Sequence, residues 1–179
     1  GNLMFSAGTK QPGTMAAIVG MSDSDVENMC AEISDGIVVA ANYNSPGQVV
    51  ISGDAASVRA SLEKFKSAGA RMVTELPVSG AFHSPLMKPA QEELAQALNS
   101  TEFLDAKFDV YCNVDAAAHR SGAELRTKLI EQLVSPVRWT QTLQKMQEAG
   151  VQNYVEIGPG KVLQGLVKRT LSRSEEHTS

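Results

Sequence analysis

The sequence feature that most constrains the fold is the order of apolar patterns within residues 14–77. Four short apolar or alternating runs have the length and composition of strands. These runs are 15–19, 37–42, 48–52 and 71–76. One amphipathic helical pattern follows the first run and another follows the third. The predicted order is therefore β-α-β-β-α-β, which is typical of a ferredoxin-like unit with two helices on one face of an antiparallel sheet.

The two central strands are predicted to pair as a hairpin because of the residues between them. Pro46 suits the second position of a turn over residues 45–48. Gly47 tolerates the positive φ that a type II turn needs at its third position. Gly36 and Gly69 follow the two helical patterns and are predicted to end them.

The second half of the chain has a different pattern, in which helices alternate with only two strands. The predicted strands are 108–113 and 154–157, and Ser135 with Pro136 is predicted to begin one of the helices. Alternation of strands and helices implies an α/β layer. Because two strands cannot form a stable open sheet alone, we expect the rest of that sheet to lie outside this sequence.

Composition excludes several classes of function. The 179 residues are 42% hydrophobic, enough for a core, and the net charge of −4 gives no sign of a nucleic-acid surface. No apolar run is long enough to cross a membrane. Cys30 and Cys112 are far apart at apolar positions and predict buried thiols in a reducing, cytoplasmic compartment. Neither metal-ligand spacing nor a disulfide framework is present.

His83 is the candidate catalytic residue, because it lies in a predicted loop between a strand and a helix. A histidine there suits a general base for a Ser or Cys nucleophile, with a carboxylate or a carbonyl orienting the ring. An isolated histidine more often has a packing or capping role. Other motifs in the chain are therefore needed to favour a catalytic role for His83. No Gly-x-Ser-x-Gly nucleophile elbow occurs in the chain. Ser84 is predicted to cap or pack rather than to act as the nucleophile.

Four stretches, taken together, resemble one family. They are 44–53 (NSPGQVVISG), 81–87 (AFHSPLM), 135–139 (SPVRW) and 156–163 (EIGPGKVL). In this order and at similar spacing they look like malonyl-CoA:acyl carrier protein transacylases. The resemblance covers about residues 1–171 and implies a ferredoxin-like subdomain inserted in an α/β-hydrolase-like acyltransferase domain.

The resemblance also implies roles for individual residues. His83 matches the family's catalytic histidine, and Gln132 matches the residue whose backbone carbonyl receives the His ring N–H. The positions implied to bind substrate are Met4, Asn42, Asn44 and Phe82. The family's nucleophile elbow, its carboxylate-binding Arg and the Gln of its oxyanion hole have no match in this sequence. The chain alone is therefore expected to be inactive.

Sequence composition and this resemblance together divide the chain into four parts: 1–13, 14–78, 79–172 and 173–179. They are expected to be a linker from a missing N-terminal part, the ferredoxin-like subdomain, the C-terminal part of the catalytic domain and a non-native tail. The implied activity is transfer of malonyl from coenzyme A to the phosphopantetheine thiol of acyl carrier protein, through a Ser acyl-enzyme, in fatty acid biosynthesis. Neither a bound cofactor nor a metal is expected, and the parent enzyme is expected to be a monomer.

Two alternatives remain open from the sequence. One is an acyltransferase domain of a polyketide synthase, which would use the same chemistry. The other, of a different class, is a non-catalytic ferredoxin-like binding module in residues 14–77, with the rest of the chain as a scaffold.

Overall fold

A computed structural model describes residues 13–78 and 80–175 of the chain. Its first half is an antiparallel sheet in the strand order β2-β3-β1-β4. The strands are β1 (Gly13–Val19), β2 (Val38–Ser45), β3 (Gln48–Asp54) and β4 (Met72–Glu75), with helices α1 (Asp23–Ala31) and α2 (Ala55–Ser67) between them. The predicted β-α-β-β-α-β order is therefore present.

The β2–β3 hairpin forms where the sequence predicts it. Gly47 has a φ of 73°, the left-handed value that its turn requires. Its carbonyl accepts a hydrogen bond from Gly20 N at 2.8 Å, which ties the turn to the end of β1. The local turn residues thus set the register of β2 against β3.

Both faces of this sheet are covered, by different parts of the chain. On one face, α1 and α2 bury side chains such as Ile18, Ile51 and Phe65. On the other face, Met15, Ala41 and Val50 form a smaller cluster with residues that follow β4. Successive residues of β1 and β3 alternate between these two faces, as the two-residue period of a strand requires.

The second half contains mostly helices. Its elements are a 3₁₀ turn (Pro85–Met87), α3 (Lys88–Asn99), β5 (Val110–Tyr111), β6 (Ala118–His119), α4 (Gly122–Glu131), α5 (Trp139–Glu148) and α6 (Val162–Glu175). The strand predicted over 108–113 is reduced to the two residues of β5, which pair with β6 in a short hairpin. Among the described residues, no helix has the length and apolar character needed to span a bilayer.

Two predictions for this half are wrong. No strand forms at 154–157, because no strand in the described part of the chain lies beside it to pair with. Val155 and Ile157 are left 83% and 95% exposed. Ser135 and Pro136 do not begin a helix either, since α5 starts only at Trp139. The connection between α4 and α5 is therefore longer than predicted.

The two halves are joined along β2. Asn42 forms a parallel bridge with Val137. Tyr43 N donates to Val137 O at 2.9 Å, and Val137 N donates to Ala41 O at 2.8 Å. Thr140 Oγ1 donates a buried hydrogen bond to Tyr43 O at 3.0 Å. The connection from α4 to α5 is thus fixed against the sheet.

Replacing Phe65 with alanine tests the core on the helical face. The Phe65 side chain is fully buried, so Phe65→Ala should lower the free energy of unfolding by about 3–5 kcal/mol. Phe108 is 71% exposed and provides a matched control, for which we expect a change within about 0.5 kcal/mol. Urea denaturation of both variants measures the difference, and equal losses would contradict this description of the core.

Candidate active site

The loop that carries His83 has a strained backbone held by its neighbours. His83 has a φ of 58°, a left-handed conformation that costs a non-glycine residue free energy and occurs preferentially at functional sites. Ser84, which is fully buried, donates from Oγ to Ala81 O at 2.6 Å and accepts from Leu86 N at 3.3 Å. The predicted capping role of Ser84 is confirmed. Its hydroxyl proton is committed to a carbonyl, so Ser84 is not poised as a nucleophile.

The loop lies against the face of the sheet that the helices do not cover. A Cβ atom added to Gly13, at the start of β1, would lie 2.5 Å from Ala81 Cβ, so strand and loop approach closely. Phe82 packs beside Ala41 and Val50 on the sheet and beside Met87 in the following helical segment. The sheet therefore acts as a rigid support for the histidine.

The His83 ring is oriented by two backbone carbonyls. His83 Nδ1 lies 3.0 Å from Gln132 O and 3.2 Å from Ser135 O. A carbonyl oxygen only accepts hydrogen bonds, so Nδ1 must carry the proton, and Nε2 of the neutral ring keeps its lone pair. Nε2 makes no hydrogen bond to any residue that the structure describes. His83 is thus half-buried, fixed at one nitrogen and open at the other, as a general base needs to be.

Both carbonyls can accept from the His83 ring because each lies where a helical ladder is interrupted, and Gln132 O accepts in addition only a long hydrogen bond from Ser135 N at 3.4 Å. Gln132 is the C-cap of α4, and the last carbonyls of a helix have no intrahelical partner. Ser135 precedes Pro136, and a residue before proline is disfavoured in the helical region. The sequence patterns did not predict that Ser135 O accepts from His83. The Ser135–Pro136 pair is the one sequence signal that could have indicated a free carbonyl there.

The predicted substrate-binding residues are only partly brought together. Asn42 lies on β2, beside Val137, and so next to the connection that orients His83. The pairing of β2 with β3 shifts register between Ala40 and Asn42 and again between Tyr43 and Ser45. Such irregularities re-aim side chains and are common near active sites. Asn44 lies at the second of them, and no described contact links it to His83.

Phe82 and Met4 are the other two positions predicted to bind substrate. Phe82 is half-buried between two apolar clusters, the sheet cluster around Ala41 and a helical cluster around Leu133. Its ring therefore has a packing role, and its effect on substrate choice stays a prediction. Met4 lies outside the described residues.

The cysteines do not offer an alternative nucleophile. Burial, with a contribution from Glu27, raises the pKa of the Cys30 thiol to about 12. Burial also raises the pKa of Cys112, with Asp115 acting in the same direction. Both thiols are therefore protonated at neutral pH, and the thiolate is the nucleophilic form. No cluster of potential metal ligands occurs among the described residues.

The chain belongs to the acyl transferase domain family, whose family model matches residues 2–179. This finding confirms the family resemblance predicted from the four sequence motifs. A histidine held by carbonyls at Nδ1 and open at Nε2 is consistent with acyl-group transfer.

Relatives within this family share one description. The chain is 46% identical over 170 residues to a malonyl CoA-acyl carrier protein transacylase of Haemophilus influenzae, covering 94% of this chain and 54% of that protein. It is 40% identical over 181 residues to the protein of the same name from Staphylococcus aureus strain MSSA476, covering all of this chain and 58% of that protein. The chain thus spans a little over half the length of these relatives.

Solved structures give the same result. The malonyl-CoA:acyl carrier protein transacylase of Xanthomonas oryzae matches with a TM-score of 0.91 and 41% identity, over 96% of this chain and 55% of that one. A malonyl-transacylase solved in complex with a type II PKS acyl-carrier protein matches with a TM-score of 0.91 and 41% identity, over 96% of this chain and 56% of that one. The mixed α/β fold described above is therefore that of these enzymes over the shared region.

Removing the Ser84 hydroxyl tests what holds the histidine loop. Ser84→Ala leaves the Leu86 amide without its buried acceptor, so we expect the free energy of unfolding to fall by about 1–2 kcal/mol. Ser100 makes a similar contact, donating to Ala97 O at 2.8 Å, but at an exposed position. Ser100→Ala should change the same quantity by less than about 0.5 kcal/mol in urea denaturation. If the two variants lost the same stability, the Ser84 hydrogen bonds would not be what fixes the loop.

Proposed function

We propose that this chain supplies the general base of a malonyl-CoA:acyl carrier protein transacylase. The observation that carries the proposal is the contact of His83 Nδ1 with Gln132 O at 3.0 Å, which leaves Nε2 free to accept a proton. The names of the relatives supply the reaction and both substrates. Because the chain covers only part of their length, the nucleophile is assigned to the remainder of the family domain.

The proposed reaction proceeds in two matched halves. A serine hydroxyl attacks the carbonyl carbon of the malonyl thioester while His83 Nε2 takes the hydroxyl proton. The tetrahedral intermediate then collapses, the C–S bond breaks, and the imidazolium returns that proton to the departing coenzyme A thiolate. The phosphopantetheine thiol of acyl carrier protein attacks the acyl-enzyme by the same steps in reverse. No bound cofactor or metal takes part in this scheme.

Neutral carbonyls suit this chemistry better than they would suit peptide hydrolysis. They fix the tautomer and the ring orientation, but they stabilise the imidazolium less than a carboxylate does. A thiolate leaves far more easily than an amine and needs less help from the protonated base. Two carbonyl acceptors are therefore sufficient for a thioester substrate.

We also propose the finer domain description. The β1–β4 unit with α1 and α2 has the connectivity and strand order of a ferredoxin-like subdomain. The later helices with the 151–157 segment fit the C-terminal part of an α/β-hydrolase-like domain, into which that subdomain is inserted. The unpaired segment is the place where the remaining strands of that domain would add. The two free cysteines agree with a cytoplasmic setting.

One alternative loses support from the structure. A binding module in residues 14–77 that used the sheet face left open by the helices would find that face covered by Phe82 and Val78. The alternative of an acyltransferase domain in a polyketide synthase uses the same chemistry, and the relatives named malonyl CoA-acyl carrier protein transacylase favour the standalone enzyme.

Replacing His83 in the longer protein that carries this sequence tests the proposal. His83→Ala should slow formation of the acyl-enzyme by about a hundredfold or more, because a positioned base contributes 10²–10⁴ in rate. The measurement is the rate of transfer from radiolabelled malonyl-CoA to the protein and then to acyl carrier protein. His119 is the matched control, since it contacts Asp115 and Glu124 at the surface. The proposal fails if His119→Ala is as slow as His83→Ala, or if neither is slow.

A second variant separates the backbone of Gln132 from its side chain. The contact to His83 uses the carbonyl, and the side chain makes one long hydrogen bond, accepting from Asn113 Nδ2 at 3.4 Å. Gln132→Ala should therefore lower the acylation rate by less than about threefold, measured in the same assay. A loss as large as that of His83→Ala would give the side chain a catalytic role absent from this scheme.

Substrate choice gives a prediction for Phe82. If its ring edge lies beside the acyl α-carbon, the extra methyl of methylmalonyl-CoA meets a filled site, which costs roughly 1–3 kcal/mol. That corresponds to about a ten- to hundredfold preference for malonyl-CoA, and Phe82→Ser should reduce it. The measurement is the ratio of the two kcat/KM values in the longer protein. An unchanged ratio would leave Phe82 with only its packing role.

A further inference from the structure

The base is held by a connection that has little regular structure of its own. Gln132 O and Ser135 O, the acceptors for His83 Nδ1, both lie in the segment between α4 and α5. A hydrogen bond fixes the ring only as well as its acceptors are themselves fixed. The contacts that hold residues 132–138 in place therefore bear directly on the orientation of His83.

Arg138 holds the end of this connection on two sides. Its Nε donates to Val114 O at 3.1 Å, and its backbone N–H donates to Asn113 O at 3.1 Å. These bonds tie the connection to the turn of the β5–β6 hairpin. Arg138 Cζ also lies 5.8 Å from the centroid of the Tyr43 ring, within the range of a cation–π contact. One half-buried side chain thus reaches both the hairpin and the small sheet.

The partners of Arg138 are themselves fixed. The Tyr43 hydroxyl donates to the Glu27 carboxylate on α1, and the Tyr43 side chain is only 5% exposed. Asn113 contacts both ends of the connection, because its carbonyl accepts from Arg138 N and its side-chain amide donates to Gln132 Oε1. Among the described residues 132–138, Arg138 is the one whose side chain contacts both the β5–β6 hairpin, at Val114 O, and the small sheet, at the Tyr43 ring.

We infer that Arg138 is a positioning residue for His83: by joining the Val114 carbonyl to the Tyr43 ring, it fixes the connection whose carbonyls orient the base. Arg138 touches neither substrate nor the reacting atoms in this account, and it acts only through Gln132 O and Ser135 O. Its loss should leave substrate binding intact while the base is held less well. The inference rests on the proposed function for its kinetic readout only.

Kinetics of Arg138→Met in the longer protein that carries this sequence provide the first test. We expect kcat for malonyl transfer to fall about tenfold while KM for malonyl-CoA stays within about twofold, since a small misplacement of a base slows proton transfer without changing binding. Arg138→Lys keeps a cation near Tyr43 but lacks Nε, and should fall by only about threefold. Arg120→Met is the matched control, because Arg120 pairs with Asp109 at the exposed side of the same hairpin. Arg120→Met should have the same kcat and KM as the wild type.

The second test needs no turnover. Solvent exchange of the His83 Nδ1 proton, followed in ¹H–¹⁵N spectra of the free protein, should be about tenfold faster in Arg138→Met than in wild type or Arg120→Met. If Arg138→Met does not fold, Arg138→Lys decides, with faster exchange expected there too. Unchanged exchange and kcat, a loss confined to KM, or an equal loss in Arg120→Met would overturn the inference. A wild type that transfers no malonyl would contradict the proposed function, and the exchange measurement would still decide the role of Arg138.

Discussion

The hydrogen bond from His83 Nδ1 to backbone carbonyls is the interaction on which the site depends. It fixes the tautomer, turns Nε2 outward and requires two backbone carbonyls to converge on one ring. Those carbonyls come from a helix end and from the residue before a proline, 49 and 52 positions along the chain from His83. Much of the second half of the fold can be understood as the means of bringing them there.

The small sheet contributes through the face that its helices leave uncovered. A four-stranded sheet with helices on one side alone would leave Met15, Ala41 and Val50 in water, and burying such apolar surface is favourable. Here the loop before and around His83 covers that face through Phe82, so the strained backbone of the histidine is stabilised by packing. The bridge from Asn42 to Val137 holds the acceptor connection against the same sheet. His83 and the two carbonyls that accept from it therefore share one rigid support.

Local sequence patterns predicted the element order of the first half and the loop position of His83 well, and long-range features poorly. Alternation, helical spacing and the Pro46–Gly47 turn were enough for the β-α-β-β-α-β order, because each of these signals is local to one element or one turn. The pairing of β1 with β3 and β4 joins strands that are not neighbours in the chain. The segment 154–157 has a strand pattern but no partner in the described chain, so it stays unpaired. Ser135 was predicted to cap a helix because serine is favoured at the N-cap and proline at the first helical position. The contact of its carbonyl with His83 depends on a residue 52 positions away and could not be read from the local pattern.

The central claim is that a neutral His83 carries its proton on Nδ1 because carbonyls, not a carboxylate, hold the ring. Two-bond ¹H–¹⁵N correlation spectra of the ¹⁵N-histidine-labelled longer protein report the tautomer directly when they are recorded at a pH at which its histidines are neutral. We predict that His83 shows a single Nδ1–H tautomer with an unprotonated Nε2. A dominant Nε2–H tautomer, or an equal mixture of the two, would contradict the account.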